Sequence, residues 1–376
     1  MPTKRIFSLL NAWTTPFVAW ILLTSAAALC LAPAAVAQHY RQTNLVSDIP
    51  NLAAATDPNL VNPWGLARSS TSPWWVADNG TGVSTLYNGA GQAVPLVVTI
   101  PPPAGGSSPA APTGIVFNGN PDFEVASGFP ARFIFVTEEG TISAWNPGVD
   151  LINAMLKVDN SSSSAIYKGA TIAANGNANY LYVANFHGGS VEVFDTNFNP
   201  FPLAAGAFTD PSIPAGFAPF NVQNINGNIY VAFAMQDAEK EDEVAGPGLG
   251  FVDAFDPSGN LLMRLRSGWW MDAPWGMVLA PADFGKFSHH LLVGNFGSGR
   301  IAAFDPRTGQ FQGLLRGPHA LPITIEGLWA LSFGNGAGAG PVNTLFFTAG
   351  IDEEQHGLFG TLTPIPHDND QGEDED

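Results

Sequence analysis

Two short stretches, Asn62-Pro63-Trp64-Gly65-Leu66-Ala67 and Trp75-Val76-Ala77-Asp78-Asn79, return later in the chain as Pro274-Trp275-Gly276-Met277 and Leu292-Val293-Gly294-Asn295-Phe296. In both places a turn with Pro and Gly leads into a short apolar strand, and a second strand ends in a polar residue. A polar residue that recurs with a repeat can be purely structural, so the repeat has to be identified before any motif is interpreted as a functional site. The pair indicates a repeated β-unit.

Six copies of this unit are found when the first strand of each is aligned on its third position. The aligned positions are 65, 114, 169, 221, 276 and 327, with steps of 49, 55, 52, 55 and 51 residues. The first strands begin at Pro63-Trp64-Gly65-Leu66, Pro112-Thr113-Gly114-Ile115, Tyr167-Lys168-Gly169-Ala170, Pro219-Phe220-Asn221-Val222, Pro274-Trp275-Gly276-Met277 and Ile325-Glu326-Gly327-Leu328.

Each copy continues with a second and a third strand rich in aromatic and β-branched residues, and several end in turns such as Asp256-Pro257-Ser258-Gly259. An outer fourth strand follows in the first five copies, for example from Leu261 to Arg266. A period of about 50 residues lies within the range of propeller repeats. The sequence therefore predicts an all-β fold, a six-bladed β-propeller of four-stranded blades over residues 38–366, with very little helix.

The sixth copy has no fourth strand of its own, whereas Thr43-Asn44-Leu45-Val46-Ser47, near the start of the propeller region, is strand-like and otherwise unassigned. A ring closed by this segment leaves no open sheet edge between the first and last blades. We therefore expect the N-terminal strand to complete the last blade.

The first 37 residues have the pattern of a signal peptide. Lys4 and Arg5 precede an apolar run from Phe17 to Leu31, and Ala35-Val36-Ala37 supplies the small-x-small cleavage pattern. We expect cleavage near Ala37 and a secreted or periplasmic protein. Residues 367–376 form an acidic tail that is expected to be disordered.

Composition narrows the possible partners. With 32 acidic against 14 basic residues, the formal net charge of −18 argues against binding to nucleic acid. The apolar N-terminal run spans 15 residues, fewer than the roughly 20 of a membrane-spanning helix, so stable membrane insertion is not expected. A monomer that binds a small molecule, a glycan or an envelope protein fits these features.

The Pro-x-Gly-apolar openings, the Trp75-Val76-Ala77-Asp78-Asn79 type of second strand and the Val-Phe-Asp type of third strand resemble NHL and YVTN propeller repeats. Nearly the whole chain after residue 37 is similar to a family of conserved hypothetical secreted bacterial proteins. The resemblance implies a propeller architecture and an exported location, and it implies no catalytic residue.

Polar residues fall in loops that a propeller places on one face of the ring, around the central channel. Asp78, Asn185, Asn295 and Asp352 could together hold Ca²⁺, which takes six to eight oxygen ligands. The alternative is that Asp and Asn end these strands because they hydrogen-bond their own turns. Both explanations stay open from sequence.

A six-bladed ring with a central divalent ion resembles the gluconolactonase and senescence-marker class of lactonases. That class has a glutamate ligand early in the first blade, where this chain has Asn62-Pro63-Trp64. A metal in the mouth would polarise a lactone carbonyl or activate water, with Glu138 or His187 as the base. This metal-dependent hydrolase is the alternative function.

The function favoured by the sequence is a ligand- or protein-binding module that uses the polar face of the channel. Trp64 and Trp275 occupy equivalent positions, where they either line the mouth as stacking surfaces or fill space inside the fold. The acidic segment from Asp237 to Glu243 is expected to overhang the same face as a lid, a cation-binding loop or a solvated loop. The ligand-binding candidates are Trp64, Asn79, Asn185, His187, Gln236, Trp275 and Asn295.

Overall fold

The structure, a computed structural model, describes residues 39–365. The predicted signal peptide and the predicted acidic tail lie outside the described residues. Within them the fold is a six-bladed β-propeller, as predicted. The two helical segments are short 3₁₀ turns, Ser161–Ser163 and Gly285–Phe287. No helix in the described part of the chain is both long and apolar enough to span a membrane.

Strands follow the chain outward from the axis in each of the first five blades. Blade 1 contains Pro63–Ala67, Trp74–Asp78, Val83–Tyr87 and Val98–Thr99. Blade 2 contains Pro112–Phe117, Phe133–Thr137, Thr141–Trp145 and Met155–Asp159, with a small hairpin of Glu124–Ala126 and Phe129–Pro130. Blade 3 contains Tyr167–Asn175, Ala178–Asn185 and Ser190–Phe194. Blade 4 contains Phe217–Ile225, Asn228–Gln236, Gly250–Phe255 and Leu261–Arg264, with Glu243–Val244 paired to its second strand. Blade 5 contains Pro274–Leu279, Leu291–Asn295, Ile301–Phe304 and Phe311–Leu314.

Two blades depart from this plan. The outer position of blade 3 holds a single bridge between Phe194 and Pro200 in place of a full strand. Blade 6 contains Leu328–Phe333, Leu345–Ile351 and His356–Pro364, and its outer strand is the N-terminal Tyr40–Ser47, which in turn pairs in parallel with Ala55–Thr56.

The N-terminal strand closes the ring, as the sequence predicts. It pairs antiparallel with the third strand of blade 6, from Tyr40 opposite Pro364 to Ser47 opposite Leu358. Tyr40 is fully buried, packs with its ring tilted against that of Phe284 and donates a hydrogen bond from its hydroxyl to the Phe284 carbonyl at 2.9 Å. The strand therefore contributes to the packing between blades 5 and 6 as well as to one sheet.

Hydrophobic side chains form one cluster between each pair of neighbouring blades and a seventh at the axis. Adjacent residues of one strand serve opposite interfaces, because side chains alternate across a sheet. Trp74 packs on Phe346 towards blade 6, whereas Trp75 packs on Phe133 towards blade 2. The buried area therefore runs around the ring without a break.

The first strand of blade 6 begins later than the sequence alignment placed it. The alignment used Gly327 as the third position, but the strand is Leu328–Phe333, and Gly327 lies before it with a φ of 59°. Leu328 pairs with Ala349 as Pro63 pairs with Asp78 in blade 1. Trp329 therefore corresponds to Trp64, and the alignment overlooked it because Ala330 stands where four of the other five copies have glycine.

If the N-terminal strand closes the ring, substitutions of Tyr40 should lower the stability in proportion to how much of the side chain they remove. Tyr40→Ala should lower the free energy of unfolding by about 3–5 kcal/mol, as other buried aromatic truncations do. Tyr40→Phe removes the hydroxyl, which donates to the Phe284 carbonyl and accepts from the Phe287 N–H, and should cost about 1–2 kcal/mol. Arg41→Ala, at an exposed neighbour, should stay within about 0.5 kcal/mol of the wild type.

Urea unfolding followed by circular dichroism measures all three variants. Equal midpoints for Tyr40→Ala and Arg41→Ala would show that the strand does not close the ring.

Candidate functional site

One residue of each first strand, at the position that Trp64 occupies in blade 1, points to the propeller axis. These six side chains are all buried, at 4% exposure or less, and are Trp64, Thr113, Lys168, Phe220, Trp275 and Trp329 from blades 1 to 6 in order. Contacts between blades that are not neighbours show that they meet at the centre: the Trp64 ring lies 6.3 Å from Phe220 and 6.0 Å from Trp275, centroid to centroid. Glycine follows several of them because the next blade is close. A Cβ on Gly65 would lie 2.5 Å from the Thr113 carbonyl oxygen.

The four aromatic side chains of this ring form an axial plug. Trp329 stacks on Trp64 at 3.4 Å between centroids, and Phe296 stacks on the other side of Trp329 at 4.1 Å. Trp64 and Trp275, which the sequence offered as ligand-stacking surfaces, are 2% and 4% exposed and contact each other. Their aromatic faces are therefore used inside the protein.

Lys168 is the charged residue among these six axial side chains. Its ammonium lies 5.0 Å from the centroid of the Trp64 ring and 6.0 Å from that of Phe186. It donates hydrogen bonds to Glu138 Oε1 at 2.5 Å and to Asp242 Oδ1 at 2.9 Å. The Glu138 bond is the better shielded, because the Glu138 side chain is 28% exposed and that of Asp242 is 73% exposed.

Burial opposes the charge of Lys168, but the attraction of Glu138, Asp242 and Glu243 outweighs it and raises the pKa above the ordinary lysine value. Lys168 is therefore a cation at any physiological pH. An ammonium in this position already fulfils the role that a metal ion plays among converging carboxylates. Among the described residues, no group of three or more His, Cys, Asp or Glu side chains is arranged to hold a metal ion.

A chain of amide side chains extends the network around the mouth. Asn79 donates to Glu138 Oε2 at 2.9 Å, and Asn62 donates to Asn79 Oδ1 at 3.3 Å and to Glu354 Oε2 at 2.7 Å. Asn62 also accepts a bond from Trp329 Nε1 at 3.1 Å, so the mouth is tied directly to the axial plug. Of the sequence candidates, Asn79 and Glu138 belong to this network.

Several carboxylates surround Lys168 at the mouth, and two of them, Glu243 and Glu354, have raised pKa values. Burial raises the pKa of Glu243 to about 8 even though Lys168 opposes the shift. Burial also raises the pKa of Glu354, against the hydrogen bond from Asn62. Burial therefore favours the protonated form of both acids relative to an exposed carboxyl.

A pocket of about 640 Å³ opens beside this network over blades 2 to 4. Glu138 and Asp242 form its border with Lys168, and Glu139, Glu241 and His187 line it further out. Glu139 accepts hydrogen bonds from the Ala111 backbone N–H with both oxygens, at 3.0 and 3.2 Å, which fixes its position. The remaining lining residues are Pro103, Ala111, Ser161, Ser164, Ala165 and Ile166.

His187 and Glu138, proposed from sequence as alternative bases, both line this pocket. The Nδ1 atom of His187 is buried and has no hydrogen-bond partner within residues 39–365. Both oxygens of Glu138 are engaged, one by Lys168 and the other by Asn79. Of the two, His187 is the one with a ring nitrogen that has no partner among the described residues.

The four residues suggested as a Ca²⁺ site lie in separate turns. Asp78 is fully buried and accepts a bond from the Thr85 N–H, and burial raises its pKa. Asn185 bonds Gly188 and Glu192 near its own turn, and Asn295 bonds the Arg300 carbonyl. The side chain of Asp352 is 77% exposed. Asp78, Asn185 and Asn295 thus make the hydrogen bonds of turn residues, and a Ca²⁺ ion shared by the four residues stays a prediction.

The acidic segment and Gln236 are held in place by local bonds. Gln236 pairs with Glu243 across a short antiparallel ladder and donates from its side chain to the Phe186 carbonyl at 2.6 Å. Asp237 accepts a bond from the Glu241 N–H at 2.9 Å within the turn. The segment is thus a hairpin extension of blade 4 that reaches the mouth through Asp242.

Lys168 and Trp329 are the central residues that sequence reasoning did not single out. A lone lysine carries no spacing signal, and its partners Glu138 and Asp242 lie 30 and 74 positions away in sequence. Trp329 had a usable signal, because Leu328-Trp329-Ala330-Leu331 follows the pattern of Pro63-Trp64-Gly65-Leu66.

Fold and site together define a β-propeller with a plugged axis and an acidic pocket at one mouth. No family model matches the sequence. The chain is 34% identical over 325 residues to the uncharacterized protein R648 of Acanthamoeba polyphaga mimivirus, covering 85% of this chain and 78% of R648. It is 32% identical over 327 residues to the uncharacterized protein L690 of the same virus, covering 85% and 84%. The chain belongs to the family of these two proteins.

Among solved structures, a Bacteroides thetaiotaomicron protein of unknown function is similar with a TM-score of 0.55 and 11% identity, over 87% of this chain and 76% of that chain. Virginiamycin B lyase from Staphylococcus aureus is similar with a TM-score of 0.48 and 13% identity, over 87% of this chain and 100% of the lyase. These likenesses concern the fold alone. The relatives that show the family are viral, so the bacterial and secreted character expected from sequence stays a prediction.

The raised pKa of Glu243 predicts a pH dependence of stability. Its pKa rises from 4.5 to about 8 on folding, so the folded state keeps a proton that the unfolded state releases. The free energy of unfolding should therefore fall as the pH rises from about 5 to about 8. Glu243→Gln cannot lose a proton and should remove about 1–3 kcal/mol of that fall.

Urea unfolding at both pH values measures this slope. Glu239→Gln, at an exposed acid of the same hairpin, is the matched control and should keep the wild-type slope. Asp253, whose pKa burial also raises to about 8, contributes equally to every variant. A Glu243→Gln slope equal to that of the wild type would contradict the assignment.

Proposed function

We propose that this protein is an exported ligand-binding β-propeller that takes a cationic small molecule in the pocket bordered by Glu138, Glu139, His187, Glu241 and Asp242. The observation that carries the proposal is the pocket itself. Its volume of about 640 Å³ lies within the range of about 300–1,000 Å³ that is typical of small-molecule sites. Of the partners that the sequence leaves open, a concave site of this size favours a small molecule over a glycan or an envelope protein.

The charge of the lining selects the ligand class. Four carboxylates face or border the pocket, and the one lysine in contact with them is buried beneath Glu138 and Asp242. A carboxylate accepts hydrogen bonds and, when ionised, donates none, so a ligand with N–H donors and a positive charge is complementary. His187 adds a ring nitrogen that can act as acceptor or donor.

Pre-organisation supports binding at this place. Glu138 is held by Lys168 and Asn79, and Glu139 is held by the Ala111 backbone, so a ligand meets carboxylates whose positions are already fixed. Ordering of flexible side chains is a large part of the cost of association. The network at the mouth reduces that cost.

Export rests on residues 1–37, outside the described structure. N-terminal sequencing of the protein recovered from a secreting bacterial host tests it, and we expect a start near Gln38. An intact N-terminus would count against export.

Calorimetric titration with 1,5-diaminopentane and agmatine, against the neutral isostere 1,5-pentanediol and the anion glutarate, tests the ligand class. The two cations should bind with affinity that weakens as salt is added, and the diol and glutarate should not compete for the pocket. Glu139→Gln combined with Glu241→Gln should weaken cation binding at least about tenfold, a loss of roughly 1.4 kcal/mol.

Glu124→Gln, on the blade 2 hairpin away from the pocket, is the matched control and should bind as the wild type does. Equal binding of diamine and diol, or diamine binding that the double variant leaves unchanged, would overturn the proposal.

A further inference from the structure

The opposite mouth of the channel holds a second cavity that the axial plug separates from the acidic pocket. It has a volume of about 370 Å³ and is lined by the ends of the first strands, including Arg68, Asn120, Gln223 and Ser332. A smaller cavity of about 70 Å³ continues from it towards Trp275 and shares Gln223 and Ser332 with it. The channel is therefore open from this face as far as the tryptophan cluster.

Arg68 is a half-buried cation without an anionic partner. Its Nε donates to the Phe333 carbonyl at 2.6 Å and its Nη2 to the Gly334 carbonyl at 3.2 Å. In the part of the chain that the structure describes, Arg68 forms no ion pair, and no acid lines the cavity. The charge of the guanidinium is therefore not neutralised by a neighbouring acid, and its Nη1 can donate a hydrogen bond to a ligand.

Burial lowers the pKa of Arg68, because no nearby anion offsets the desolvation. The ring of Trp74, 5.6 Å from the guanidinium carbon, supports the side chain from one side. A cation that is held in place and partly desolvated attracts an anion more strongly than an exposed one.

Neutral donors in the same cavity are also unused. The side chains of Asn120, Gln223 and Ser332 make no hydrogen bond within residues 39–365. Two amides and a hydroxyl can each donate to an oxygen atom. They surround the space that Arg68 borders, so one oxygen-rich ligand can reach several of them.

We propose that this cavity is a binding site for the carboxylate group of a small organic acid, distinct from the acidic pocket on the other face. Arg68 supplies the charge, and Gln223, Ser332 and Asn120 supply neutral donors. A carboxylate group fits better than a phosphate group, because one guanidinium balances the single negative charge of one carboxylate, whereas a phosphate group carries about 1.5 to 2 charges on one centre.

Calorimetric titration of the full protein with butyrate, glutarate, butyramide and inorganic phosphate tests this site. We expect butyrate and glutarate to bind with a dissociation constant of about 1 mM or tighter, and butyramide, the neutral isostere of butyrate, not to bind. Arg68→Gln should weaken carboxylate binding at least about tenfold, Arg68→Lys should weaken it less, and Gln223→Ala should weaken it without any change of charge.

Near-UV circular dichroism of each variant shows whether the fold is retained, because Arg68 also bonds the blade 6 backbone. Arg307→Gln, at a turn outside the cavity, is the charge-matched control and should bind butyrate as the wild type does. Equal binding by a folded Arg68→Gln variant, equal affinity for butyramide, binding of phosphate alone, or butyrate binding weaker than a dissociation constant of about 1 mM would each overturn the proposal.

Discussion

The burial of one ammonium group, that of Lys168, determines how the rest of the channel mouth is arranged. A charge removed from water is tolerated only where opposite charges and hydrogen bonds compensate for it. Here Glu138 and Asp242 provide the compensation, and the rings of Trp64 and Phe186 cover the remaining sides. Because Glu138 must face Lys168, Asn79 and then Asn62 are oriented in turn, and the last of these bonds the axial tryptophan Trp329.

The aromatic plug gives the two faces of the propeller separate chemistry. On one side lies a pocket of about 640 Å³ with a surplus of carboxylates, and on the other a cavity of about 370 Å³ where, within residues 39–365, Arg68 forms no ion pair and no acid lines the wall. A propeller with an open axis would let ligands and ions pass between these surfaces. With Trp64, Trp275 and Trp329 packed at the centre, each mouth can recognise its own class of ligand.

The repeat made the fold predictable, while the site depended on contacts that a repeat does not encode. Ring closure by Tyr40–Ser47 could be inferred because the sixth copy lacked a strand and an unpaired strand-like segment was present at the other end. Asp78, Asn185 and Asn295 hydrogen-bond within their own turns, and the sequence could not decide between this role and cation binding because the same residue types serve both. Lys168 lies in the first strand of the third copy, but its role could not be predicted, because its partners Glu138 and Asp242 are distant in sequence.

The protonation of Lys168 is the most direct test of this account. In protein labelled with ¹⁵N-lysine, the ammonium resonance that disappears in Lys168→Arg identifies this side chain, and its shift can be followed as the pH is raised. We expect a slowly exchanging ammonium that stays protonated beyond the pH at which exposed lysines titrate, about 10.4. Titration of that resonance at or below the value of the exposed lysines would show that Glu138 and Asp242 do not hold a buried cation, and would contradict the arrangement of the mouth described here.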